Sequence, residues 1–319
     1  MNKILLTAAA LALAASLPAA AQKYPEKTIR VVVPFPTGAS QILGLLVAEK
    51  LGAALGQAAY ADFRPGAGGT IGSEIAAKSA PDGYTLMLAS SSFTITPSLY
   101  KKLAYLPLRD FQPISQVANM PNVLVSHPSV PAQNMKELVA LAQKSPGRLS
   151  YGSGGVGSGN HLASELFKAI AKIDLVHVPY KGASIALTHI LSGEIDVVTV
   201  TVPATIPFIN SNRLRGLAVL AKKRQPTIPT VPTSVESGYP DVLMDAWYGV
   251  VAPIGVRADI TERLSGELQK IMHSPEVVKQ LARIGIDSVT STPVEFHAFL
   301  KSETDKWSRV IREAKIRVE

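Results

Sequence analysis

The alternation of short β-branched runs with amphipathic stretches is the feature that most restricts how this chain can fold. Nine runs are rich in strand-forming residues, at 28–34, 58–63, 84–89, 122–127, 148–151, 175–179, 195–200, 214–220 and 247–252. Helical patterns lie between several of these runs, at 42–55, 135–143, 162–171 and 185–191. Strands that alternate with helices of about 10–15 residues are typical of βαβ units and parallel sheets. The sequence therefore predicts an α/β fold in which mostly parallel sheets are flanked by helices.

The C-terminal part contains two strong helix starts. Ser274-Pro275-Glu276 places a capping residue before a proline at the first helical position, and Thr292-Pro293-Val294-Glu295 is a capping box. The second helix repeats apolar residues at Phe296, Phe299, Leu300, Trp307, Val310 and Ile311. Such a stripe is typical of a helix that packs on a core.

The length of the chain predicts two lobes. Its 319 residues suffice for two domains, each with its own core. Since no internal repeat or low-complexity linker separates two halves, we expect the lobes to be joined by strand crossovers, at 122–127 and 245–252. The predicted organisation is a signal peptide at 1–21, a first lobe at 22–121 and 246–319, and a second lobe at 122–245.

The N-terminus has the pattern of a cleavable secretory signal. Lys3 supplies the positive charge, residues 4–17 form an uncharged apolar run, and Ala19-Ala20-Ala21 follows Pro18. We expect cleavage after Ala21 and a periplasmic mature protein. The alternative is a membrane anchor, but the apolar run is shorter than the roughly 20 residues that a bilayer requires. No later segment is expected to be long and apolar enough to cross a membrane.

Composition narrows the function classes. The chain has no cysteine, which excludes thiolate nucleophiles and cysteine-based metal sites. Its formal net charge of +8 falls to +7 when Lys3 is removed. The basic residues are scattered and are not interleaved with aromatic ones, so we expect no nucleic-acid partner. A small anionic ligand fits this balance, and a generally basic solvated surface is the alternative.

Four turns rich in small residues follow predicted strands and precede predicted helices. They lie at 34–41, 64–72, 152–160 and 179–184, two in each predicted lobe. Helix N-termini carry unpaired N–H groups, and glycine lets an anion approach them closely. In open α/β sheets, ligands bind at the carboxyl ends of the strands. The four turns therefore predict a carboxylate-binding cleft between the lobes, although any one of them alone is ordinary loop chemistry.

Enzyme motifs are poorly matched. Gly152-x-Gly154-x-x-Gly157 fits the dinucleotide fingerprint, but the acidic residue expected at the end of the next strand is absent. No serine lies in a G-x-S-x-G elbow, and the six histidines form no metal-binding motif. An exported hydrolase using Ser158 and His161 would rest only on their proximity along the chain. We therefore expect neither catalysis nor a cofactor.

A set of short motifs gives the chain a family resemblance from Lys23 almost to its end. The motifs are Val32-Val33-Pro34-Phe35, Arg64-Pro65-Gly66-Ala67-Gly68-Gly69, Ala80-Pro81-Asp82-Gly83-Tyr84-Thr85-Leu86, Tyr151-Gly152-Ser153-Gly154, His161-Leu162-Ala163, Val176-His177-Val178-Pro179-Tyr180-Lys181-Gly182, Gly193-Glu194-Ile195-Asp196-Val197, Leu217-Ala218-Val219, Val231-Pro232-Thr233, Trp247-Tyr248-Gly249 and Ala252-Pro253. With them the chain resembles the extracytoplasmic solute receptors of tripartite tricarboxylate transporters, the Bug receptors. The motifs are specific together and weak singly.

The resemblance implies a two-lobed periplasmic-binding-protein fold that closes over a carboxylated solute and delivers it to one large and one small membrane subunit. It also implies that backbone amides and bridging waters near the first two turns hold the ligand carboxylate, here at Phe35, Thr37, Gly38, Ala39, Ser40, Gly68, Thr70 and Ile71. Ser90 and Ser91 should face the same cleft. The second lobe would present Ser153, Ser158, Asn160, His161, Tyr180, Lys181 and Thr201.

Two departures from the family pattern bear on the ligand. The first turn reads Gly38-Ala39-Ser40-Gln41 where relatives carry an Asp, and Thr199-Val200-Thr201 replaces a Phe-Asp-Asn-like triplet. A ligand ammonium would lack a partner in a dry cleft. The pattern therefore favours a dicarboxylate, and with Phe35 and Tyr180 available to flank a ring, an aromatic one such as terephthalate. An aliphatic di- or tricarboxylate such as citrate is the alternative.

A sensor's extracytoplasmic domain is a second candidate partner, besides the membrane subunits of the transporter. We expect the receptor to be a monomer.

Overall fold

The computed structural model describes residues 24–36, 38–100, 102–180 and 182–313. The predicted signal peptide, Thr37 and Lys181 lie outside the described residues. The strands are β1 (Ile29–Val33), β2 (Ala59–Phe63), β3 (Thr85–Ser90), β4 (Phe111–Ser126), β5 (Ser150–Ser153), β6 (Val176–Pro179), β7 (Val197–Thr201), β8 (Arg215–Val219), β9 (Asp245–Pro253) and β10 (Asp287–Ser288). For all but one of the predicted strands, both boundaries agree with those of an observed strand to within two residues. The exception is 122–127, which covers only the last part of the much longer β4.

The helices alternate with these strands as the sequence predicts. They are α1 (Gly38–Leu55), α2 (Thr70–Ala77), α3 (Ser91–Leu99), α4 (Pro107–Asp110), α5 (Met135–Lys144), α6 (Gly159–Ala171), α7 (Ala183–Leu191), α8 (Val202–Asn210), α9 (Ala258–His273), α10 (Pro275–Ala282) and α11 (Pro293–Glu313), and a short 3₁₀ helix spans Ala67–Gly69. The capping box before α11 forms as predicted, because Thr292 Oγ1 accepts from Glu295 N at 3.2 Å and Glu295 Oε2 accepts from Thr292 N at 2.8 Å. Ser274 caps α10 by accepting from Val277 N, without a reciprocal side-chain bond.

The strands form two sheets that share β4. The order is β2-β1-β3-β9-β4 in the first sheet, with β10 also on β4, and β4-β7-β5-β6 in the second, with β8 also on β4. Residues up to Pro121 pair with β9, and residues from Asn122 onward pair with β7 and β8. The two proposed crossover segments therefore belong to the two longest of these strands, while the lobe boundaries themselves stay a prediction.

Both sheets are mixed, with less parallel pairing than the alternating pattern predicts. The pairs β1–β2, β1–β3, β5–β6 and β5–β7 are parallel. Strand β9 runs antiparallel to β3 and β4, and β4 runs antiparallel to β7 and β8. The βαβ units are therefore parallel, as predicted, whereas β9 in the first sheet and β4 in the second run antiparallel to the strands beside them.

Helices cover both faces of each sheet. Helices α1, α9 and α10 cover one face of the first sheet, and α5 and α6 cover one face of the second. Two helices contribute to the cores of both sheets. Phe93 of α3 and Phe296 of α11 pack with the first sheet, whereas Leu99 of α3 and Trp307 of α11 pack with the second. The predicted apolar stripe of α11 does pack on a core, but its two ends enter different ones.

Helix α1 corrects the expectation that no segment after the signal is long and apolar enough to span a membrane. By length and composition this 18-residue helix passes that test. Half of it is buried, however, and Leu43, Val47 and Leu51 are fully enclosed in the core of the first sheet. The apolar character of α1 is therefore that of a core helix.

Candidate functional site

The four glycine-containing turns lie at the carboxyl ends of parallel strands, and each leads into a helix. The first turn (34–41) joins β1 to α1, the second (64–72) joins β2 to α2, the third (152–160) joins β5 to α6, and the fourth (179–184) joins β6 to α7. Since β1 pairs with β2 and β5 with β6, the turns occur as two neighbouring pairs. Helix α3 contacts both the short helix of the second turn and α6, so it lies between the two pairs.

The first and second turns are in direct contact. A methyl group on Gly69 would lie 3.0 Å from Phe35 Cε2, so the absence of a side chain lets the phenyl ring rest on this backbone. Gly69 also adopts a φ of 93° at the start of α2, a conformation that favours glycine. Phe35, which is expected from the sequence to flank a ligand ring, is therefore half-buried and held between the two turns.

The third and fourth turns are closed against each other in the same way. Tyr180 N donates to Ser153 O at 3.0 Å, and a methyl group on Gly154 would lie 2.9 Å from Ala183 N. The ring of Tyr180 stacks on His189 with centroids 4.4 Å apart, and His189 Nδ1 contacts Glu194 Oε2 at 2.8 Å. One face of Tyr180 is thereby occupied within its own lobe.

In the first turn, Ser40 is the buried polar side chain. It lies in the opening turn of α1, is 3% exposed, and its hydroxyl has no hydrogen-bond partner. Gly38, with a φ of 64°, begins this helix, and no atom lies within 4 Å of the position of a side chain there. An unpartnered buried hydroxyl in the first turn of a helix is a feature that a bound anion would satisfy.

In the third turn, Asn160 plays the corresponding part. Its Oδ1 accepts from Gly154 N at 3.1 Å and from the Ser158 hydroxyl at 2.7 Å, while its Nδ2 has no partner although the residue is only 9% exposed. Ser158 also caps α6 and contacts Gly155 O at 2.6 Å. The hydroxyl of Ser158 is therefore engaged inside the turn, and the amide of Asn160 is the donor that stays free.

Behind the third turn lies a stack of three rings that the sequence does not reveal. His177 stacks against both Tyr151 and His161, with centroids 4.7 and 4.3 Å apart, and the Tyr151 and His161 centroids are 6.4 Å apart. His177 Nε2 shares a hydrogen bond of 2.6 Å with Ser153 Oγ, and His161 Nδ1 accepts from Gly157 N at 3.2 Å. Burial, assisted by the neighbouring His177, lowers the pKa of His161 to about 4, and burial also lowers the pKa of His177. Both rings are therefore neutral at pH 7.

An ion pair anchors this stack. The Tyr151 hydroxyl donates to Glu165 Oε1 at 2.5 Å, and Lys168 Nζ donates to the same oxygen at 2.8 Å. Burial alone would raise the pKa of Glu165, but the hydrogen bonds from Lys168 and Tyr151 outweigh it and hold that pKa below its ordinary value. The spacing of His161, Glu165 and Lys168 on one face of a helix was the available sequence signal.

The other predicted site residues are distributed around these turns. Ser91 is buried and its Oγ accepts from Trp247 N at 3.2 Å, while Ser90 Oγ lies 3.1 Å from Ser92 Oγ. Thr201 is half-buried at the end of β7, where α8 begins. The remaining described positions lie in the first two turns: Ala39, Gly68, Thr70 and Ile71. Which of these residues touch a ligand stays a prediction.

Comparison with known proteins identifies the family. Residues 45–316 match the family model TctC, the tripartite tricarboxylate transporter family receptor. The chain belongs to this receptor family. The receptor is 36% identical over 299 residues to the protein BugT of Bordetella pertussis, an alignment that covers 93% of this chain and 92% of BugT.

Solved structures agree with this assignment. The R. palustris protein Rpa4515, determined with adipate, is 30% identical with a TM-score of 0.84, covering 92% of the receptor and 99% of that chain. MatC from Rhodopseudomonas palustris, with bound malate, is 27% identical with a TM-score of 0.81, covering 90% of the receptor and all of that chain. The receptor therefore has the two-lobed fold of periplasmic binding proteins, in a family of periplasmic solute receptors.

Members of this family are solute receptors, not enzymes. The geometry at the residues of the hydrolase hypothesis agrees with that conclusion. The contact between Ser158 and His161 joins the serine hydroxyl to the backbone N–H of His161, at 3.4 Å, and the imidazole Nδ1 is directed to Gly157. The serine is a helix cap, and the histidine ring is part of the buried stack.

Proposed function

We propose that this receptor binds an organic dicarboxylate between its lobes and delivers it to a membrane transporter of one large and one small integral subunit. The observation that carries the proposal is the pair of buried, unpartnered donors, Ser40 Oγ in the first turn and Asn160 Nδ2 in the third. Each lies in the opening turn of a helix, where N–H groups and the helix dipole favour negative charge. Two donor sites on two lobes match a ligand with two carboxylates.

The absence of acidic residues from the four turns supports a ligand without a cationic group. None of the four segments contains Asp or Glu, whereas Arg64 and Lys181 are basic. An ammonium group in such a cleft would lose its hydration without gaining a charged partner. Thr199 belongs to the triplet 199–201 that differs from the family pattern. It is fully buried and its hydroxyl contacts Ser164 Oγ at 3.1 Å, so it does not replace the missing acidic residue as a partner for an ammonium group.

Apolar side chains beside the turns support a ligand with an apolar body. Ile71 in the second turn is 47% exposed, and Val156 in the third turn is 44% exposed. Ile42 of α1 and Ile185 of α7 are also exposed near the other two turns. Together with the ring of Phe35, these side chains favour an aromatic dicarboxylate, and terephthalate is the specific ligand we propose. An aliphatic di- or tricarboxylate is the alternative, since the two R. palustris neighbours were determined with adipate and malate.

Transport and signalling would use the same conformational change. The donors are divided between the lobes, so they meet on one ligand only when the lobes close. Membrane subunits of the transporter would recognise this closed form, and so would a sensor's extracytoplasmic domain. No feature of the described residues favours the sensor over the transporter.

The proposal is tested by titration of the protein lacking residues 1–21 with terephthalate, adipate, malate, citrate and glutamate, using thermal shift and calorimetry. A ligand at a hundredfold excess over its Kd stabilises the native state by about 2.7 kcal/mol. We expect terephthalate to give the largest shift and glutamate to give none. Tighter binding of citrate or adipate would overturn the aromatic assignment, and no response to any carboxylate would overturn the receptor function proposed for the turns.

Two matched variants identify the site. Ser40→Ala removes a buried, unpartnered hydroxyl from the first turn. Ser126→Ala is the control: it removes a buried, unpartnered hydroxyl beside the first residue of β7, at the edge of the second sheet that lies away from the turns. Loss of a hydrogen bond to a charged group costs about 1.5–3 kcal/mol, so Ser40→Ala should raise Kd about 10- to 150-fold. Ser126→Ala should leave Kd unchanged. Equal effects of both variants would remove Ser40 from the site.

A further inference from the structure

The buried ring stack is connected by hydrogen bonds to both ends of the third turn. Near the start of the turn, Ser153 Oγ accepts from Gly155 N at 3.1 Å and bonds His177 Nε2 at 2.6 Å. Near its end, Gly157 N donates to His161 Nδ1 at 3.2 Å. Two backbone amides of the turn, at Gly155 and Gly157, are therefore held by groups whose positions depend on the stacked imidazoles.

The alignment of a strand pair with a helix face produces this arrangement. Tyr151 and Ser153 point to the same side of β5, because successive side chains of a strand alternate. His177 is the register partner of Tyr151 on the parallel neighbour β6. His161 and Glu165, one turn apart on α6, complete the cluster from above the sheet. The stack exists only when β5, β6 and α6 are all in place.

The far side of the stack is fixed, so movement of the rings is restricted. Tyr151 is fully buried and its hydroxyl is held by Glu165, which Lys168 holds in turn. His161 is 5% exposed and parallel to His177 within 23°. A ring that is packed against two neighbouring rings and hydrogen-bonded at its edge is restricted to one orientation, and His177 is in that situation.

We propose that His177 is a positioning residue which, through Ser153 and through the stacked ring of His161, holds the third turn in its ligand-binding conformation. The inference rests on the proposed function, because it assigns the third turn to the ligand. It explains why the turn can contain five glycines and still direct the amide of Asn160 consistently. His161, placed among the ligand contacts by sequence, takes a supporting role behind the turn.

Two substitutions at His177 separate hydrogen bonding from ring packing. His177→Gln retains a polar group that can bond Ser153 Oγ but loses the aromatic stack. His177→Phe retains the stack but loses the hydrogen bond. His127→Phe is the matched control, because His127 Nδ1 contacts Ser129 Oγ at 2.7 Å after the end of β4, away from the turns.

Three measurements on each full-length mature variant complete the design: melting temperature, Kd for terephthalate and adipate, and amide hydrogen exchange over residues 152–160 without ligand. We expect His177→Phe to keep its melting temperature, to exchange about fivefold faster over the turn, and to bind about tenfold more weakly. His177→Gln should melt earlier yet bind more tightly than the Phe variant. His127→Phe should match the wild type in exchange and affinity.

An affinity order that simply follows the melting temperatures would overturn the proposal, since that is the result of a purely structural role. Unchanged amide exchange over 152–160 in His177→Phe would also overturn it, whatever the affinity of that variant for terephthalate and adipate. If the wild-type protein binds neither terephthalate nor adipate, those two ligand choices fail, and the exchange result still decides whether His177 holds the turn. Faster exchange with unchanged affinity would show that the turn is held but is not used for the ligand, and would likewise overturn the proposal.

Discussion

Lowering the pH should destabilise the receptor through His161, and a single substitution should isolate that contribution. The unfolded chain binds a proton on this histidine near pH 6.5, whereas the buried ring, stacked on His177, has a pKa of about 4. Between these pH values the unfolded state binds more protons than the folded state, so each decrease in pH favours unfolding. Stability from this group is fully present above pH 6.5 and is lost as the pH falls toward 4.

The size of the effect follows from the two pKa values. At about 1.36 kcal/mol per pKa unit, the whole contribution of His161 is roughly 3 kcal/mol, and about 2.5 kcal/mol of it should be lost between pH 7.5 and pH 4.5. His161→Phe preserves a stacked ring but has no proton to gain. The substitution leaves Gly157 N without its acceptor, which costs about 1–3 kcal/mol at every pH. The stability of the variant should therefore be lower at pH 7.5 and less dependent on pH.

Urea unfolding at four pH values between 7.5 and 4.5 measures this difference. Trp307 fluorescence is a suitable signal, because this buried residue packs in the same core as Tyr151. The free energy of unfolding of the wild type should fall by about 2.5 kcal/mol more than that of the variant over this range. His177, whose pKa is also lowered by burial, contributes in the same direction but is present in both proteins. Parallel pH profiles for the two proteins would refute the reasoning.

Three further changes test other parts of the structure. Asn160→Asp keeps the oxygen that accepts from Gly154 and Ser158 but replaces the free donor with a charge that repels a carboxylate. Calorimetry should show at least about tenfold weaker binding of terephthalate. The melting temperature should be nearly unchanged. Trp307→Ala should lower the free energy of unfolding by about 3–5 kcal/mol, measured by urea denaturation, because the indole is fully buried. Gly69→Ala combines a φ of 93° with a contact 3.0 Å from Phe35, so it should destabilise by more than Gly56→Ala, which has a positive φ but open space; equal melting temperatures would show that the contact with the ring is unimportant.

The sequence predicted those parts of the fold whose signals are local. Strand β1 is a run of β-branched residues, and the box at Thr292 and Glu295 marks the start of α11. Three glycines of the second turn, Gly66, Gly68 and Gly69, have positive φ values. Each of these features depends on a few neighbouring residues. Their positions could therefore be predicted without knowledge of what packs on them.

The first part of β4 could not be predicted in this way. Pro113, Gln116 and Pro121 break the apolar alternation, and proline within such a run argues against a strand. The pairing of β4 with β9 accommodates these residues by register shifts between Pro113 and Ser115 and between Gln116 and Ala118. Such bulges are a property of two strands together. The antiparallel direction of β9 is likewise a property of the pair.

The same distinction between local and long-range signals applies to the candidate site. The four turns were predictable because glycine and the preceding strands mark them, but the buried stack was not, because Tyr151, His161 and His177 come from three different elements. A single His in a sequence gives no indication of a second ring against it. The internal engagement of Ser158 was hidden for the same reason, since its partners Gly155 and Asn160 meet it only in the folded turn.

Helix α11 has a consequence for the order in which the receptor can fold. Its Trp307 and Ile311 belong to the core that Leu138, Tyr151 and Phe167 build in the second sheet. That core therefore lacks part of its apolar interior until residues near the end of the chain have been synthesised, although most of its strands and helices come from the middle. Domains usually fold as units during synthesis, starting from the N-terminus. Here the core of the second sheet is complete only once α11 has been added, so its packing depends on residues far along the chain from its strands.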